Sequence, residues 1–105
     1  MNITKGDEEF IRNIWLPWTG LRAVYIKFSN SQKKWPDIQI ELEKIPIITV
    51  TPEWRRQDMH ERHKRLVHEG LHSLGMEHGK IGRYDYNTIP SKDTYSRMVY
   101  RRLIK

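Results

Sequence analysis

The stretch His68-Glu69-Gly70-Leu71-His72-Ser73-Leu74-Gly75-Met76-Glu77-His78 reads H-E-x-x-H-x-x-G-x-x-H without a gap. Helical spacing sets His68 and His72 one turn apart on one face, with Cβ atoms about 5–6 Å from each other. Two imidazoles so placed can hold one zinc ion at Zn–N distances of about 2.0–2.1 Å. Glu69 is one residue round the helix, displaced from the ligand direction yet within reach of a water on the metal, where a general base belongs. Gly75 takes positive φ without steric penalty, so it can end the helix and reverse the chain. That reversal would let His78 return as a third ligand, leaving the fourth position for water as in catalytic zinc sites.

A helix that merely happens to be rich in histidine is the competing explanation. Five fixed residues, three of them the scarce histidine, would coincide on the order of once in 10⁵ chains of this length at average usage. Downstream stands Ser96-Arg97-Met98-Val99-Tyr100, an S-x-M-x-Y pattern. Together the two motifs resemble those of the metzincin clan of zinc metalloproteases, whose second hallmark is a tight methionine-containing turn beneath the metal. The S-x-M-x-Y form is similar to that of the astacin and serralysin branches.

The resemblance implies a zinc-dependent endopeptidase acting on peptides or proteins, with one Zn²⁺ per chain held by His68, His72 and His78. Glu69 would take a proton from metal-activated water and pass it to the leaving amine. Met98 would lie under the metal as a packing plug. Tyr100 would match the tyrosine that approaches zinc and stabilises the oxyanion. The implied fold is α+β: a small twisted mixed sheet of three to four strands, a backing helix and an active-site helix, forming one minimal catalytic domain over residues 1–105.

Two other classes compete. A bacterial endoribonuclease family that matures ribosomal RNA carries H-x3-H-x5-H with a glycine before the third histidine, and His68, His72, Gly75 and His78 fit it equally well. That family usually has glycine where this chain has Glu69, so the glutamate base separates the two readings. The other alternative is a latent or non-catalytic zinc-binding domain, distinguished by intact metal with little turnover.

Composition bounds these readings. With 105 residues the chain suits one small domain, and 37% apolar against 30% charged residues makes its core thin, so bound metal can contribute much of the stability. The chain has no cysteine, which excludes disulfides and thiolate ligands. A net charge of +6, from 19 basic and 13 acidic residues, admits nucleic acid as a partner. A solvated basic surface accounts for it more simply. The N-terminus lacks a signal-peptide pattern and no apolar run approaches membrane-spanning length, so a cytoplasmic protein without membrane attachment is expected. Oligomeric state leaves no mark on the sequence.

The elements follow from local patterns. Residues 7–15 read as a short helix capped by Asp7, with Phe10, Ile11, Ile14 and Trp15 on its apolar face and Pro17 ending it. Residues 21–28 alternate as a strand, with Val24, Ile26 and Phe28 on one side and Tyr25 and Lys27 on the other. Residues 37–43 alternate more clearly, with Ile38, Ile40 and Leu42 inward, and their charged outer face suits a sheet edge. Residues 46–51 form another strand behind Pro46. Asp58 with Glu61 three residues on is a capping box, placing the active-site helix over about 59–74. Its inner stripe is His63, Val67, Leu71 and Leu74, while Arg55, Arg56, Arg62, Lys64 and Arg65 read as solvated. His60 and His63 are not needed for the site. Tyr84 and Tyr86 fall in a loop after His78, and 94–104 holds the expected methionine turn.

Overall fold

The computed structural model describes residues 3–30, 38–76 and 92–104. Its first segment is one helical rod in three parts: α1 (Lys5–Phe10), a π-helical turn (Ile11–Trp15) and α2 (Leu16–Thr19). Thr4, not Asp7, is the N-cap, its hydroxyl accepting the Asp7 amide at 3.1 Å. Asp7 lies inside, 1% exposed. Pro17 does not end the rod either. In an α-helix its ring would clash with the carbonyl four residues back. Here the wider π turn, with the Leu16 amide reaching back to the Ile11 carbonyl, precedes Pro17 and carries the chain past it. The rod stops at Gly20, where φ is 76° and the amide closes on the Leu16 carbonyl at 2.9 Å.

Three short strands follow: β1 (Tyr25–Phe28), β2 (Ile38–Glu41) and β3 (Ile47–Val50). Their order is β1-β3-β2, with β1 parallel and β2 antiparallel to the central β3. The sheet is therefore mixed and three-stranded among the described residues, at the lower bound of the expected number. Alternation along β3 buries Ile48 and Val50 completely, and Ile38 opposite Val50 extends that layer. Tyr25, on the opposite side of β1, is 61% exposed. β2 lies at an edge, as its charged outer face suggested; Leu42 falls just beyond it and is exposed rather than inward.

Thr51 caps the single turn α3 (Pro52–Arg55), and Asp58 caps α4 (Met59–Ser73) by accepting the Glu61 amide at 2.8 Å. α4 packs against α1, β2 and the last helix, α5 (Lys92–Ile104). His63, Val67 and Leu71 are buried on its inner stripe, whereas Leu74 is exposed past its end. Two cations expected in solvent are not there. The Lys64 side chain is buried and its Nζ meets Glu61 Oε1 at 2.7 Å, and Arg62 reaches inward to Asp7 at 3.1 Å. Burying these charges is tolerable because each is paired.

The largest departure from expectation is at α5. Residues 96–100 are not a tight turn but the middle of this helix. No glycine or proline interrupts 92–104, and Tyr95, Val99 and Leu103 recur every four residues, which sustains a helix against the turn the motif suggested. Met98 consequently points away from the core and is 48% exposed, so it is no plug beneath a metal.

Candidate metal centre

His68, Glu69 and His72 come together on α4 as a group able to bind a metal ion, their ligand atoms all within 4.8 Å of one another. The two imidazole Nε2 atoms are 3.2 Å apart. Two nitrogens bound to one tetrahedral zinc at about 2.0–2.1 Å must be separated by about 3.3 Å. The rings cross almost at right angles, 85°, so their lone pairs converge from different directions. Glu69 Oε2 stands 3.8 Å from His68 Nε2 and 3.9 Å from His72 Nε2. That is too far for a hydrogen bond and close enough to reach a water held between the three groups. The carboxylate is only 4% exposed, the situation in which a charge demands compensation.

The backbone just past α4 fixes one of these rings. Gly75, at φ 104°, turns the chain. Its amide bonds to the His72 carbonyl at 3.0 Å, and the Met76 amide to the Leu71 carbonyl at 2.9 Å. These two bonds form a Schellman end, which only a residue at ease with positive φ completes cheaply. The reversal presents the Met76 carbonyl to His72 Nδ1 at 2.7 Å. A carbonyl only accepts, so Nδ1 carries the proton and Nε2 offers its lone pair inward. On the other ring, His68 Nδ1 lies 3.4 Å from the Ser96 hydroxyl of α5.

Gly70, between the two histidines, has a different task. A Cβ there would lie 2.3 Å from Trp18 Cζ3 and 2.9 Å from Trp15 Nε1. The missing side chain lets the helical rod press against α4 at the level of the histidine-bearing turn. Trp15 completes that contact by donating its indole N–H to the Leu66 carbonyl at 2.7 Å, and is itself fully buried. The histidine-bearing turn is thus held from one side by two tryptophans and from another by α5.

Tyr100 is not part of this group. It sits two helical turns away along α4, where its hydroxyl meets His60 Nδ1 at 3.2 Å and its ring meets Phe10 edge-on at 5.8 Å. Eight residues separate His60 from His68, about 12 Å of helix. The oxyanion role expected for Tyr100 therefore does not fit its position. Burial, aided by the nearby Asp58 charge, raises the Tyr100 hydroxyl above the usual phenol pKa, as for a packed neutral tyrosine.

A second polar cluster occupies this end of α4, and local sequence patterns do not reveal it. Asp7 accepts from His63 Nε2 at 2.8 Å and from Arg62 Nε at 3.1 Å. His63 also stacks on Phe10, ring centroids 4.2 Å apart at 15°. Burial holds the His63 imidazole below its usual pKa, against the opposing pull of Asp7.

His78, the third ligand suggested by spacing, lies outside the described residues, as do Tyr84 and Tyr86. Among the described residues no helix is long and apolar enough to cross a membrane. Comparisons with models of protein families, with curated proteins and with solved structures give no match to this chain.

Proposed function

We propose that this chain is a zinc-dependent peptidase whose reacting centre is the His68–Glu69–His72 turn of α4. The observation that carries the proposal is the 3.2 Å approach of the two Nε2 atoms, with a buried carboxylate 3.8–3.9 Å from both. Two imidazoles with a carboxylate and no thiolate form a donor set suited to zinc. His68 and His72 would hold the ion, and His78 is the candidate third ligand by its spacing after Gly75. The support is the H-E-x-x-H helix itself; the methionine turn contributes nothing, since Met98 and Tyr100 lie elsewhere.

A zinc ion bound there supplies Lewis acidity, polarising a carbonyl and making a water acidic near neutral pH. The chain's own groups do the rest. Glu69 accepts the proton of the attacking water as its oxygen bonds to the peptide carbonyl carbon. It then returns that proton to the amine nitrogen as the C–N bond breaks. The burial of Glu69 keeps this transfer out of bulk water and favours a short proton path. β2, packed against α4 and an antiparallel edge strand among the described residues, would be the edge along which an extended peptide adds as a further strand.

The test is cleavage of an unfolded protein substrate by the zinc-loaded chain, wild type beside Glu69→Gln. Glu69→Gln should keep its zinc and lose hydrolysis, because the base is removed and both imidazoles stay. Undiminished cleavage by that variant would overturn the mechanism. Cleavage of structured RNA, with peptides untouched, would overturn the substrate class.

A further inference from the structure

The two histidines of the metal centre are oriented by different means. His72 is fixed by a backbone carbonyl, which can only accept a hydrogen bond. His68 faces the hydroxyl of Ser96 at 3.4 Å, delivered by α5 from 28 residues further along the chain. Ser96 is fully buried, so the hydroxyl is held against the ring away from bulk water. A serine hydroxyl both donates and accepts, and its hydrogen rotates to suit.

This difference matters because the two Nε2 atoms are only 3.2 Å apart. With Nδ1 of His72 protonated, His72 Nε2 is a lone pair. Without metal, the pair is satisfied if His68 carries its proton on Nε2 and donates it across; Ser96 then donates to His68 Nδ1. With metal, both Nε2 atoms must present lone pairs. His68 then carries its proton on Nδ1 and donates it to the Ser96 oxygen. The hydroxyl accommodates both arrangements by rotating, and the two rings together keep the same number of protons. A carbonyl in its place would fix His68 in the metal-binding tautomer. A methyl group would support neither tautomer.

Resting on the metal site proposed above, we infer that Ser96 is a positioning residue for His68: its buried hydroxyl stabilises the free tautomer and the metal-binding tautomer in turn. This gives the serine of the S-x-M-x-Y stretch a role, although the stretch is helical and its methionine and tyrosine lie away from the site. Partners of metal-bound histidines are worth about 10–100-fold in metal affinity.

The experiment uses the full chain: Co²⁺ titration followed by visible absorption for wild type, Ser96→Ala and Ser96→Thr, with thermal unfolding of each protein metal-free and at saturating Co²⁺. Ser96→Ala should bind Co²⁺ about 10–100-fold more weakly, with Ser96→Thr close to wild type because the hydroxyl is restored. The metal-free midpoint of Ser96→Ala should fall as well, and the midpoint at saturating Co²⁺ should fall further, because the Nδ1–H of a metal-bound imidazole is the stronger donor to the hydroxyl. Equal Co²⁺ affinity in wild type and Ser96→Ala would overturn the inference. Weakening in both variants, tracking their loss of metal-free stability, would also overturn it by reducing Ser96 to a packing residue. No Co²⁺ binding by wild type would instead remove the metal site itself. Should the variants fail to fold, nitrogen-15 NMR of the wild-type histidine rings decides. His68 should be protonated on Nε2 without metal and on Nδ1 after zinc loading. The Nδ1 form in the metal-free protein would contradict the account.

Discussion

The two ends of α4 carry the same kinds of side chain and treat them differently. Near its start, His63 and Arg62 close on the carboxylate of Asp7, and Arg62 gives a further hydrogen bond to the Gln57 carbonyl at 2.6 Å. Each charge meets an opposite charge or a good acceptor. Near its end, His68 and His72 approach each other nitrogen to nitrogen, with Glu69 too far from either for a hydrogen bond. The first arrangement is complete as protein and ties α1 to α4. The second brings two imidazoles and a carboxylate within 4.8 Å of one another, a set that could hold a metal ion. The same residue types thus tie two helices together at one end of α4 and form a candidate metal centre at the other.

That contrast is open to direct attack. Loss of His72 should have the largest effect: His72→Ala should abolish stoichiometric zinc binding and all hydrolysis, and remove any rise in thermal midpoint on adding zinc. Metal analysis after dialysis checks it, and full zinc retention would break the contrast. Glu69→Gln comes next, with an expected fall of about 10²–10⁴-fold in peptide cleavage at unchanged zinc content.

At the other end of α4 the consequences should be for stability alone. Asp7→Ala leaves Arg62 and His63 without their shared acceptor and should cost about 3 kcal/mol in chemical denaturation, with zinc affinity of the folded protein unchanged. A large loss of affinity there would mean that the two clusters are coupled. Gly70→Ala should cost about 1–3 kcal/mol, because the added methyl meets the buried Trp15 and the half-buried Trp18. The smallest effect concerns pH. Burial lowers the His63 pKa in the folded state, so below the ordinary imidazole value of 6.5 the unfolded chain binds more protons. His63 therefore adds a loss of stability as pH falls from 7.5 to 5 and none above that range. Urea midpoints of wild type should drop more over the interval than those of His63→Gln.

What the sequence disclosed is what short-range physics decides. Asp58 capping α4, the extent of that helix and the turn at Gly75 each depend on residues within a few positions, and they were legible. So was the alternation that sends Ile38 inward and Tyr25 outward. The failures share a cause as well. Local preference favours Asp7 as a cap, but its partners lie 55 and 56 residues away and Thr4 is better placed to cap. Pro17 reads as a stop because an α-helix cannot pass it, whereas a π turn can. At residues 96–100 the S-x-M-x-Y motif obscures the four-residue period of Tyr95, Val99 and Leu103. Read by period alone, 92–104 is a helix and Ser96 becomes a candidate to face α4.

The most direct measurement is zinc stoichiometry by equilibrium dialysis, joined to X-ray absorption at the zinc edge of the loaded protein. The account predicts one zinc per chain, with first-shell nitrogen and oxygen at about 2.0–2.1 Å and the outer-shell scattering of at least two imidazoles. Substoichiometric zinc, or bound zinc without imidazole scattering, would contradict it.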